Sequence, residues 1–115
     1  MPQTDPKKSD QSKMTSEEYL NLLQTLPKEE KVEELASLFF TISEIALFIG
    51  MKPDELKDII SFDECDPLSI AYRRGKLQTK IKLRFDTARF AASGSPAALE
   101  DMKSFLSKQK FDEDA

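Results

Sequence analysis

Helix start and stop signals recur at short intervals along this chain, and they limit its possible folds more than any other feature of the sequence. Thr15 lies three residues before Glu18, and Thr41 three residues before Glu44, the spacing of a capping box. Asp66-Pro67 and Ser95-Pro96 each set a capping side chain ahead of a proline at the first helical position. Pro53 opens another helix, with Asp54 and Glu55 favourably placed against its positive N-terminal end. Gly50 and the pair Ser93-Gly94 supply stops. Three glycines and two tyrosines are too few turn-forming and β-forming residues for a sandwich or barrel. The chain is therefore predicted to be all-α, with about five helices.

Residues 1–14 mix Pro, Lys, Asp, Ser and Gln with no apolar period, and predict a disordered tail. A helix starting near Thr15 or Ser16 carries Tyr19, Leu20, Leu22, Leu23 and Leu26 on one face, and Pro27 interrupts it. A second runs from about Lys28 to Phe40, with Val32, Leu35, Ala36, Phe39 and Phe40 on one side. A helix-turn-helix follows over 42–61. Next comes a long helix from Pro67 to Ala92, weakened only by Gly75. A short final helix is expected from about Ala97 to Lys108. Residues 15–110 are read as one helical domain and residues 111–115 as a frayed acidic tail.

The chemistry open to this chain is narrow. It has no histidine, which removes the commonest general base, the commonest metal ligand and any Ser-His or Cys-His nucleophile pair. A single cysteine, Cys65, excludes an internal disulfide and a structural zinc site, and fits a reducing cytoplasm. The glycines at 50, 75 and 94 form no phosphate loop. The sequence thus predicts a binding protein and not an enzyme, with no catalytic residues, metal or cofactor. No apolar run approaches the roughly 18 residues of a membrane span, so no membrane partner is expected.

Residues 42–61 carry the sharpest local pattern. Two helices meeting at a tight turn need a small residue where they cross, which Ala46 provides, and a positive φ at the turn, which Gly50 adopts without strain. Ile45, Ile49, Met51, Leu56 and Ile59 have the spacing of the core beneath. The bland alternative is an ordinary helical hairpin with no nucleic-acid role. The second helix exposes Asp54, Glu55 and Asp58, and offers only Lys52 and Lys57 to a phosphate backbone.

The formal charge of −4 conceals a division. Residues 15–66 hold thirteen acids and four bases, net −9, whereas residues 67–92 hold seven bases and one acid, net +6. At about 100° per residue, Ile70, Leu77, Ile81, Phe85, Ala88 and Ala92 share one face of the long helix. Tyr72, Leu83 and Phe90 form a narrower stripe, read as an oligomer contact. Between the stripes runs a ridge of Arg73, Lys76, Lys80 and Arg84. That ridge fits contact with DNA phosphates, a match to the acidic segment of another subunit, or a solvated face.

Three pieces in order resemble the small subunit of bacteriophage terminases, the helix-turn-helix proteins that recognise DNA for packaging in phages and prophages. They are the helix-turn-helix with Ala46, Gly50 and Pro53; Ala71-Tyr72-Arg73-Arg74-Gly75-Lys76, similar to a Tyr-x-x-Gly-Lys helix start; and Leu83-Arg84-Phe85 through Phe90-Ala91-Ala92-Ser93-Gly94-Ser95-Pro96-Ala97-Ala98-Leu99, similar to a Phe-x-x-Ala-x-x-Gly-Asn-Pro-x-x-Leu segment. Ser95 stands where that family has Asn, and Met102, Phe105 and Leu106 where its last helix closes on tryptophan. The resemblance covers residues 42–108. It implies a homo-oligomer, often a ring, in the bacterial host cytoplasm, which binds double-stranded viral DNA and presents it to the large terminase subunit. A helix-turn-helix transcription regulator and a protein-protein module of the same fold are the alternatives.

Overall fold

Six helices follow one another in the computed structural model, which describes residues 13–114. They are α1 (Ser16–Thr25), α2 (Lys28–Ser37), α3 (Ile42–Ile49), α4 (Pro53–Phe62), α5 (Pro67–Ala92) and α6 (Pro96–Asp114). No strand occurs among the described residues. The tail expected over residues 1–14 lies outside the described residues except for its last two. No helix among the described residues is long and apolar enough to cross a membrane.

The start signals act through the bonds they imply. Thr15 Oγ1 accepts from Glu18 N at 3.2 Å, and the Glu18 carboxylate accepts from Thr15 N at 3.5 Å. The Thr41–Glu44 box is tighter, at 3.1 and 2.9 Å. Asp66 Oδ1 accepts from Leu68 N at 2.9 Å, and Ser95 Oγ from Ala98 N at 3.3 Å. Each such cap contributes about 1 kcal/mol by satisfying backbone donors that the first turn leaves free.

Three helices end in the same double bond pattern around a left-handed residue. After α3, Gly50 (φ 78°) donates to Leu47 O and Met51 N donates to Ala46 O. After α5, Gly94 (φ 94°) donates to Ala91 O and Ser95 N to Phe90 O. After α2 the left-handed residue is Phe39 (φ 62°), which donates to Ala36 O while Phe40 N donates to Leu35 O. This corner corrects the sequence reading of α2. The helix stops at Ser37, and Phe39 and Phe40 lie in the turn, largely exposed, instead of extending the buried face. A second correction concerns α6, which is not short. It has 19 residues and continues through Asp114, because nothing after Lys108 breaks a helix.

By internal contacts the chain divides into two compact units, Met1–Lys76 and Leu77–Ala115. The first holds the core. Val32 and Ala36 of α2, Ile45 and Ala46 of α3 and Leu56 of α4 are fully buried. Leu23, Leu35, Ile60, Leu68 and Ala71 close around them. Tyr19 of α1 donates its hydroxyl to the Glu34 carboxylate. Burial foremost, and the accepting carboxylate next, push this phenol well above its usual range. The second unit is thinly filled: among its described residues only Ala98 is buried, with Met102 and Phe105 half-buried.

Candidate nucleic-acid interface

The first third of α5 is held against α2 at a single close crossing. Gly75 is buried there, and a Cβ added to it would overlap the Glu33 carbonyl oxygen and come within 3.0 Å of Ala36 Cβ. Arg74 reaches the Glu33 carboxylate at 4.0 Å from the same crossing. Lys76 and Tyr72 flank Gly75 and are placed by it. The Lys76 ammonium lies 5.2 Å from the centre of the Tyr72 ring, within cation–π range.

On α4, Leu56 is fully buried, which turns its neighbour Lys57 outward. Lys57 and Lys76 line one open cavity of about 430 Å³, together with Phe39, Phe40, Tyr72 and the start of α3 at Thr41, Ile42 and Ser43. Two lysines, three hydroxyl-bearing residues and the positive end of a helix line it beside aromatic rings. This set can hold an anionic oxygen and bear on a flat or apolar group next to it. Glu44 offsets part of the positive charge, since its carboxylate closes the Thr41 capping box at the same helix end.

The structure places the predicted site residues unequally. Lys57 and Lys76 line the same cavity. Lys52 is exposed at the N-cap of α4 and does not line the cavity. Arg73 is committed elsewhere: Nη2 donates to Ile60 O at 3.0 Å and Nε to Ser69 Oγ at 3.3 Å, so it closes the end of α4. The predicted ridge is therefore not one continuous row of free cations. Lys80 and Arg84 belong to the second unit, where the Arg84 guanidinium lies 4.4 Å from the centre of the Phe105 ring.

The residues read as the turn and core of a helix-turn-helix lie on α3, on α4 and in the turn between them. Ile45, Ala46 and Leu56 are fully buried, Ile59 is half-buried, and Gly50 forms the left-handed turn. Of the stripe read as an oligomer contact, Leu83 and Phe90 are 52% and 62% exposed. Tyr72 is half-buried against the core of its own unit and does not share their exposure.

Sequence reasoning missed Phe39, Thr41 and Ser43 as cavity residues and Gly75 as a contact. The glycine did leave a signal: an isolated Gly in an otherwise unbroken helical run costs about 1 kcal/mol against Ala, which asks for a compensating contact. Phe39 left none, because nothing in Leu38-Phe39-Phe40 marks a left-handed corner. In comparisons with protein families, with curated proteins and with solved structures, nothing matches this chain.

Proposed function

We propose that this protein is a DNA-binding adaptor of the kind the terminase small-subunit resemblance implies, acting as a homo-oligomer that gathers duplex DNA for a packaging machine. The observation that carries the reading is the meeting of Lys57, from the second helix of the helix-turn-helix, and Lys76, from the long helix, at one cavity beside the N-terminus of α3. Two such cations suit adjacent phosphate oxygens, while Asp54, Glu55 and Asp58 leave α4 poorly suited to reading base edges. Binding is then mainly electrostatic, weak for each chain and raised by avidity in an oligomer. Presentation to a large subunit follows from the resemblance over residues 42–108 alone.

The test is titration of duplex DNA at several salt concentrations with two double variants. Lys57→Ala with Lys76→Ala should weaken binding strongly and make the slope of log K against log salt shallower by about 1.8, at about 0.9 per lost phosphate contact. Lys80→Ala with Lys82→Ala should do less. A larger loss for the second pair would place the interface on the second unit. One observation favours a second reading, a protein-protein module: the exposed acids of α4 repel DNA. No binding of the wild-type chain at any salt would remove the DNA reading and leave that one.

A further inference from the structure

We propose that the face of the first unit formed by α1, α2 and α3 is a docking groove for a basic helix with an exposed apolar stripe, and that its occupant is the 77–92 segment of a second copy of this chain. The groove has a volume of about 290 Å³ and an almost wholly apolar lining, with Leu20, Leu23, Leu35, Leu38, Phe40 and Phe48 as its apolar walls. Glu44 stands at one border. A second hollow, of about 380 Å³, opens on the same helix α1, sharing Tyr19 and Leu23 and adding Glu30, Glu33 and Glu34. The two hollows flank the shared Tyr19 and Leu23, so the apolar groove has Glu44 at its border and the three glutamates across α1, where Glu33 is also in reach of Arg74 and Glu34 accepts from Tyr19.

The segment 77–92 is its counterpart in shape and charge. Leu77, Ile81 and Phe85 stand one turn apart on one stripe of α5, and each is more than half exposed. At 100° per residue, Lys80 and Arg84 border that stripe on one side and Lys82 and Arg89 on the other. Apolar rows edged by cations thus meet apolar walls edged by carboxylates. Residues 15–76 hold thirteen acids and seven bases, net −6, and residues 77–92 four bases and one acid, net +3, so the two surfaces also differ in sign.

Two further observations select a second copy as the occupant. The unit Leu77–Ala115 has Ala98 as its only buried residue among those described, so Leu77, Ile81 and Phe85 find little cover within it. Every copy also carries both surfaces, so the contact is head-to-tail: each subunit offers its groove to one neighbour and its helix to another, an arrangement that closes as a ring or grows as a filament. The contact does not depend on DNA binding: an oligomeric wild type that binds no DNA leaves it standing and sinks the proposed function alone, whereas a monomer also removes the avidity that function draws on.

The experiment uses the full chain and measures native mass by light scattering and sedimentation at up to about 100 µM, where contacts of micromolar strength are occupied. Leu38→Lys puts a cation in the groove, and Ile81→Asp puts an anion on the helix. The wild type should be oligomeric, and each variant alone should associate at least about tenfold more weakly, a loss usual for a central apolar contact. An equimolar mixture of the two variants should regain mass, because one keeps an intact helix and the other an intact groove. Leu20→Lys and Phe85→Asp repeat the design at second positions, with circular dichroism checking that all four keep their helix content. A monomeric wild type, a variant that associates like wild type, or a mixture no heavier than its components would overturn the proposal.

Discussion

Gly75→Ala reverses its expected sign if the crossing of α5 on α2 is as tight as the geometry shows. At a helix position with open surroundings the change stabilises by about 1 kcal/mol, because Ala surrenders less backbone freedom on folding. At residue 75 the new methyl would overlap the Glu33 carbonyl oxygen and press on Ala36 Cβ at 3.0 Å. A backbone carbonyl inside α2 cannot rotate aside, so α5 must lift, loosening Leu68 and Ala71 from the core they share with Leu35 and Ala36. Overpacking of this kind costs about 1–3 kcal/mol, with a backbone overlap at the upper end. Subtracting the propensity gain leaves a net loss of about 2 kcal/mol. At about 4–8 °C per kcal/mol for a domain of this size, the midpoint should fall by roughly 10 °C. Thermal unfolding followed by circular dichroism gives the answer, and an unchanged or higher Tm would refute the close crossing.

Gly50→Val should cost about 1–3 kcal/mol from backbone strain alone, since nothing lies within 4 Å of its Cβ position, and Gly50→Asn should cost clearly less in the same urea titration. Arg73→Met should destabilise by about 1–3 kcal/mol through loss of its bonds to Ile60 O and Ser69 Oγ, while leaving the salt slope of DNA binding unchanged; a shallower slope would return Arg73 to the interface. Folding raises the proton affinity of Tyr19, so its contribution is complete below the ordinary phenol pKa of about 10 and is lost as pH climbs above it. Unfolding midpoints measured across that range should fall more steeply for wild type than for Tyr19→Phe.

What could be read in the sequence followed from whether the deciding interaction was local. Thr15, Thr41, Asp66 and Ser95 cap helices by bonding two or three residues ahead, so spacing along the chain was enough to find them. Gly50 was equally legible, because its turn is completed by Ala46, Leu47 and Met51. The pairing of Lys57 with Lys76 was not, since it depends on where α5 crosses α2, and that crossing rests on Gly75 against Glu33, residues 42 positions apart. Arg73 shows the same limit in reverse. Its place on the helical wheel put it in a basic ridge, but its partner, the Ile60 carbonyl, lies on a different helix.

The corner after α2 bears on what shaped this chain. Three helices end on the same left-handed turn, and two of them put glycine at the residue that must take positive φ. The third puts Phe39 there, at a cost of roughly 1–2 kcal/mol to an L-residue, with its ring half exposed at the cavity that holds Lys57 and Lys76. A sequence tuned for thermal endurance alone would place a glycine at this corner too. Stability and the aromatic side chain are thus traded against each other at one residue. A library of variants at this position, ranked by melting temperature, would have glycine near its top, and the same library ranked by binding would show what the ring is kept for.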